Sequence, residues 1–206
     1  MANFYISDLH IGHANVIKFD NRPFKDLSEM HEAIVTNWNR VVTGNDTVYV
    51  LGDFIWAKEN DWPFYLDALA GNKVLIRGNH DPKEYSKVTR HYFQDIKDYK
   101  EVTDGDKRVI LSHYPMPFHH YGFAEKCWML YGHVHMTKEY EYVEKLRTEI
   151  ADAWQQQGDP RPNFVNVGCM MPWMNYTPRT LDEIIAAQNE RRKSDEEDTN
   201  SVCPKL

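Results

Sequence analysis

Residues 4–13 read FYISDLHIGH: an apolar, β-type run that stops on Asp8 and then sets down His10 and His13. The same event recurs along the chain. TVYVL (47–51) runs into Gly52 and Asp53, and KVLIR (73–77) runs into Gly78, Asn79, His80 and Asp81. RVILS (108–112) ends at His113, and CWMLY (127–131) ends at Gly132, His133 and His135. In sheets built with helical crossovers, ligands collect beyond the carboxyl ends of strands. The five endings are therefore expected to converge on one sheet edge and form one site.

The donor set at these endings holds nitrogen and oxygen only, which suits a first-row ion such as manganese, iron, nickel or zinc. Two carboxylates, several imidazoles and one amide oxygen are too many for one ion. They fit two ions about 3.5–4 Å apart, the arrangement that clamps both oxygens of an in-line displacement at phosphorus. Asp53, alone at its strand end, is the natural bridging carboxylate. Each piece has an ordinary reading when taken singly: Asp-x-His arises by chance, GD makes turns, and GNHD can be a turn followed by a helix cap. The ordered recurrence favours the site.

The chain has 206 residues, 42% hydrophobic and 13% aromatic, enough for one substantial core. A single domain over residues 1–190 is expected. Arg191 opens RRKSDEEDTNSVCPKL, a run too polar to bury much, so residues 191–206 are expected to form a disordered tail. No stretch approaches a membrane span and no secretory leader pattern is present, so a cytoplasmic protein is expected. Cys127, Cys169 and Cys203 stand at unrelated spacings, which suggests two interior thiols and one in the tail rather than a disulfide framework. The formal net charge of -7 opposes loose binding to nucleic acid.

Periodicity predicts a helix over 26–42, with Met30, Ile34, Trp38 and Val41 on one face and Asp26 paired with Glu29 as its cap. Further helices are predicted over 62–70, 82–92 and 140–157, the last with Val143, Leu146, Ile150 and Trp154 inward. A final helix is predicted after a Thr180–Glu183 capping box. IKDYKEV and RVILS flank a DG turn and read as a hairpin, and NFVNV (163–167) reads as a late strand.

Taken in order, SDLH, LGD, RGNHD, LSHYP and GHVH resemble the signature blocks of the calcineurin-like metallophosphoesterases. The resemblance spans Ser7 to His135, with no block missing. It implies an α/β fold, a four-layer α/β/β/α sandwich of two mixed β-sheets flanked by helices. It also implies a ligand set: Asp8, His10, Asp53 and His135 on one divalent ion, and Asp53, Asn79, His113 and His133 on the other. A hydroxide bridging the two ions would attack phosphorus in line. His80 would contact the phosphate and protonate the leaving alkoxide. Asp81 would either hold the His80 ring or cap the helix expected after Pro82.

Three further features remain open at this stage. His13 could bind the substrate phosphate or donate a proton, or simply bond a loop carbonyl. Arg22 could be a phosphate fork or an ion-pair partner of Asp20. The aromatic segments HYPMPFHHYGF and CMMPWMNY could frame the cleft through Tyr114, Phe118, His119, His120, Trp173 and Tyr176, or fill core, the role expected of Met170, Met171 and Met174. The leading expectation is hydrolysis of a small phosphodiester or phosphomonoester, with a nucleotide among the candidates. The alternatives are a nuclease or RNA-end processing phosphatase, which needs a basic groove and for which Lys18, Arg22, Lys25 and Arg40 are the candidate cluster, and a metal-holding module that binds a protein partner.

Overall fold

Eight short strands divide into two four-stranded sheets in the computed structural model, which describes the backbone of residues 1–202 and the side chains of residues 1–194. The first sheet contains β1 (Asn3–Ile6), β2 (Thr47–Val50), β3 (Asn72–Ile76) and β4 (Phe93–Lys97), in that order and all parallel. An antiparallel bridge between Tyr5 and Arg179 adds a short reversed contact beside β1. The second sheet contains β5 (Tyr99–Asp104), β6 (Lys107–Ser112), β7 (Cys127–Tyr131) and β8 (Asn163–Asn166). Here β5 and β6 form the expected hairpin, with Gly105 at φ +62°, and β6, β7 and β8 run parallel.

Among the described residues six α-helices accompany the sheets: α1 (Ala14–Phe19), α2 (Leu27–Val41), α3 (Trp62–Leu66), α4 (Lys87–His91), α5 (Lys138–Gln156) and α6 (Leu181–Val202). Asp26 caps α2 by accepting the Glu29 N–H, and Glu29 in turn accepts the Lys25 N–H. Met30, Ile34 and Trp38 of α2 are buried as expected, and the Trp38 indole donates to the Ala70 carbonyl. The Thr180–Glu183 capping box is formed at the start of α6.

Both faces of the second sheet are covered, and its side chains alternate accordingly. Val109, Leu111, Trp128, Leu130 and Val165 enter the main core. Ile110, Cys127, Met129, Tyr131 and Phe164 point the other way, against Tyr140 and Val143 of α5. Helix, sheet, sheet and helix thus stack as the four layers expected.

The differences from the expected elements have local causes. IKDYKEV is two strands rather than one. The break at Asp98, whose carboxylate takes both arms of the Arg77 guanidinium, passes the chain from the first sheet to the second. The helix expected over 82–92 is confined to α4, capped by Ser86, because Asp81 is drawn beneath the preceding loop. Helix α3 stops at Leu66, short of the expected Ala70. Leu146 of α5 is 41% exposed, so the inward stripe lies on Ile150, Ala151 and Trp154. The FDNRPF loop is preceded by a helix, α1, that was not expected.

Helix α6 runs through Arg191. Arg191 stacks over the Trp173 ring and pairs with Glu144. Residues 203–206, with Cys203, lie outside the described residues.

Trp38 is fully buried and hydrogen-bonded, so Trp38→Ala should cost about 3–5 kcal/mol in urea unfolding. A loss below about 1 kcal/mol would mean that α2 does not anchor the first sheet.

Candidate functional site

The strands end, but their pairing continues. Beyond β1 and β2, Asp8 N–H donates to Gly52 O, His10 N–H to Asp53 O and Ile11 N–H to Phe54 O. Ser7 N–H donates to Val167 O and Cys169 N–H donates to Ser7 O, which joins the end of β1 to the chain after β8. The two sheets are thereby tied at the edge where the polar endings gather.

The backbone at that edge is unusual. Asp8, His10, Asp53, His133 and His135 all have φ between +45° and +73°. Non-glycine residues rarely occupy this left-handed region, and such residues cluster at functional sites. Here it turns the side chains of neighbouring strand ends toward a common point. A Cβ at Gly132 would collide with the Asp8 carboxylate and the Ser7 hydroxyl, and one at Gly78 would collide with the Asp53 carboxylate.

The convergence is close. Asp53 Oδ2 lies 3.6 Å from His10 Nε2 and 3.7 Å from His113 Nε2. His135 Nε2 lies 3.3 Å from His10 Nε2 and 3.4 Å from Asp8 Oδ1. His113 Nε2 lies 2.9 Å from Asn79 Oδ1, and the His133 ring centroid is 5.1 Å from that of His113. Two ligand atoms each about 2.1 Å from one ion stand roughly 3–3.5 Å apart at ordinary coordination angles. Asp8, His10 and His135 form one group able to hold a metal ion, and Asp8, Asp53 and His113 form another. Asp8 belongs to both groups, so it approaches the shared position expected of Asp53. Its oxygens, however, are engaged by the His133 N–H and the Ser7 hydroxyl. Asp53 gives only Oδ1 to a hydrogen bond, from the His80 N–H, and leaves Oδ2 toward both histidines.

The surrounding hydrogen bonds fit a cation. Leu51 O can only accept, so His113 donates to it from Nδ1 at 2.8 Å and a neutral ring turns its Nε2 lone pair toward Asn79 Oδ1. In that tautomer the Nε2 lone pair is free to bind a cation. His135 donates from Nδ1 to Asp20 Oδ1 at 2.6 Å, a carboxylate–imidazole pair of the kind that orients metal-binding histidines.

The charges point the same way. Burial opposes charging of His135, but its bonds to Asp20 and Asp8 outweigh this and raise it to about 10, so the site draws in positive charge. Burial pushes His10 down to about 3, which keeps its imidazole neutral and its lone pair available. Burial would raise Asp8, yet the bond and charge of His135 hold it well below the usual carboxylate range. Asp53 is raised, chiefly by burial, with His113 opposing.

Arg22 takes the second of its two expected roles, the ion pair with Asp20, and Asp81 takes neither of its two. Arg22 is no phosphate fork: it is buried, and its guanidinium is spent on Asp20 Oδ2, Leu9 O and Asp8 O. It pins the left-handed turn at Asp8 and holds the carboxylate that orients His135. Asp81 neither holds the His80 ring nor caps a helix. Its carboxylate accepts the N–H groups of Asp53, Phe54 and Gly78, fastening the GNHD loop to the Asp53 loop.

His80 is 45% exposed at its side chain and, with His13, lines a cleft of about 430 Å³. His10, Asp20, Asp53, Asn79, His133 and His135 also face that cleft. CMMPWMNY is mostly core, with Met170, Met171, Met174 and Tyr176 buried. Of the other aromatic segment, Tyr114 packs its ring edge on His133, while Phe118 is 71% exposed and His120 pairs with Glu101. The sequence reading missed Asp20, Phe19 and Trp56 as cleft residues. Asp20 stood beside Arg22 in the quoted loop, but nothing local paired it with a histidine 115 positions away.

The pattern described as the calcineurin-like phosphoesterase superfamily domain matches residues 1–183. An uncharacterized protein of Methanocaldococcus jannaschii is 31% identical over 186 residues, covering 88% of each chain. The gene 66 protein of Mycobacterium phage L5 is 30% identical over 135 residues, 56% of this chain and 64% of the phage protein. A solved protein of unknown function from Aquifex aeolicus superposes with a TM-score of 0.65 at 31% identity, covering 90% of this chain and 98% of its own.

Gly132→Ala should destabilise the protein by about 1–3 kcal/mol through overpacking against Asp8 and Ser7, measured by urea unfolding. An unchanged midpoint would show that this approach is looser than described.

Proposed function

The chain belongs to the calcineurin-like phosphoesterase superfamily, and from that premise we propose that it is a metal-dependent phosphoric ester hydrolase acting on a small phosphodiester or phosphomonoester. The observation that carries this reading is Asp53 Oδ2, set between His10 Nε2 and His113 Nε2 at the floor of an open cleft. Asp8, His10, Asp53 and His135 would hold one divalent ion, and Asp53, Asn79, His113 and His133 would hold the second, with Asp53 common to both. When bound, such ions neutralise charge on phosphoryl oxygens and acidify water.

The chain's own residues supply the rest. The His80 N–H fixes Asp53 Oδ1, while its exposed ring, with Nε2 4.0 Å from Asp53 Oδ2, is placed to meet the phosphate and hand a proton to the leaving oxygen. Asp81 keeps His80 and Asn79 in register with Asp53 through its three backbone bonds. His13, which lines the same cleft, is a second group able to bind phosphate.

The nuclease reading gains no support. Arg22, one of the four residues proposed for a basic groove, is buried, and no Lys or Arg is among the described residues lining the cleft. A small ester, with a nucleotide in range, suits the cleft better. A metal-holding module would have no use for the exposed His80 imidazole. No described helix is long and apolar enough to cross a membrane.

Protein stripped of metal and then given manganese should hydrolyse bis-p-nitrophenyl phosphate or p-nitrophenyl phosphate, with the preferred compound indicating diester or monoester chemistry. His80→Ala should lower kcat by about 10²- to 10⁴-fold with metal content retained. Turnover that survives chelation, or that ignores His80, would contradict the reading. Asp53→Asn should lose bound metal by elemental analysis while keeping its far-ultraviolet circular dichroism; two retained ions would remove Asp53 from the shared position.

A further inference from the structure

Four aromatic rings form a continuous strip along the cleft. The His13 ring lies flat on Trp56, with centroids 4.2 Å apart and an interplanar angle of 15°. Phe19 sets its edge against His13 at 6.1 Å, and His80 meets Trp56 edge-on at 4.7 Å. All four line the same cleft as Asp53 and Asn79. Phe19 is 74% exposed and Trp56 43% exposed, and large apolar side chains left exposed in one concavity mark a ligand or interaction site. Concave sites of roughly 300–1,000 Å³ with apolar walls and a few convergent polar groups are the usual form of small-molecule sites.

The charges narrow the ligand. Beyond the histidines, the cleft's ionisable side chains are the carboxylates Asp20, Asp53 and Glu139, with no Lys or Arg among the described lining residues. Glu139 would repel a second phosphate extending along the cleft, and Asp20 is already matched by Arg22 and His135. The part of the ligand that leaves the phosphate site is therefore recognised by faces of rings and not by charge. Val16 and Val134 complete an apolar lining beside the strip.

Resting on the phosphoesterase reading above, we infer that Phe19, His13 and Trp56 form a stacking subsite for a planar, uncharged aromatic group carried on the phosphate ester, with Phe19 and Trp56 as the specificity determinants. A nucleobase and a simple aryl ring share this chemistry.

The test uses the full chain loaded with manganese and phosphonates, whose carbon–phosphorus bond the enzyme does not cleave. Calorimetry would compare inorganic phosphate, methylphosphonate, cyclohexylphosphonate, phenylphosphonate and the 5′-phosphonate analogue of adenosine monophosphate. The flat ligands should bind at least about tenfold more tightly than methylphosphonate, within the range one base–aromatic stack supplies, and more tightly than the cyclohexyl compound. A preference for the adenosine analogue over phenylphosphonate identifies a nucleobase; the reverse identifies an aryl group.

Because selectivity is read as a ratio within each protein, a general loss of phosphonate binding cancels. Phe19→Ala and Trp56→Ala should each cut the flat-to-methyl ratio about fivefold or more, and Trp56→Phe should preserve it. Equal affinity for flat and methyl ligands in the wild type, or a ratio unmoved by both alanine variants, overturns the subsite alone. Failure of inorganic phosphate and methylphosphonate to bind the manganese-loaded chain overturns the phosphoesterase reading and the subsite with it.

Discussion

A buried carboxylate facing two imidazoles is the constraint around which the molecule is arranged. Asp53 Oδ2 sits between His10 and His113, with Asp8 nearby, and both carboxylates are buried. Unpaired buried charge is costly, so this cluster has to be matched by positive charge and held rigidly. The rigidity comes from the backbone. Arg22 pins Asp8 and Leu9, and Asp81 collects three N–H groups from two loops. The continued pairing of residues 8–11 with residues 52–54 fixes the remainder. Left-handed residues cost about 1–3 kcal/mol each unless their surroundings over-determine them. Five such residues at one sheet edge require this density of fastening.

The same arrangement explains why the fold has two sheets with parallel strands at their centres. Parallel strands put their carboxyl ends on one edge, and the Ser7–Gly168 bridge brings the two edges together. Donors separated by more than a hundred residues then meet within a few ångströms. The cleft left above them is open and largely aromatic on one lip. The ligand proposed for it is small, with its phosphate at the floor and its remainder against the rings.

What could be read in the sequence followed from repetition. Apolar runs ending on Asp8, Asp53, Asn79, His113 and His133 named the site because strand geometry makes such endings converge, and the converging residues are those named. The α2 stripe and both capping boxes are local patterns, and they were legible for that reason. What escaped was set by distant partners. Asp81 reads as a hold on the His80 ring or as a helix cap because its true acceptor role depends on Asp53 and Phe54, which the chain brings near only after β3 is laid beside β2. The Arg22–Asp20 pair was legible as one of two readings, but nothing nearby in sequence announces that Arg22 is buried beneath Asp8. The switch of sheets at Asp98 sits inside one uninterrupted β-type run, and the polar start of 191–206 gave no sign of the Trp173 ring on which Arg191 rests.

The account depends on the donors acting as one two-ion centre, and crystals grown with manganese test this most directly. An anomalous-scattering map is expected to show two peaks about 3.5–4 Å apart, one beside His10 and His135, the other beside His113 and His133, with Asp53 Oδ2 between them. A single peak, or peaks that leave Asp53 without a metal contact, would contradict it.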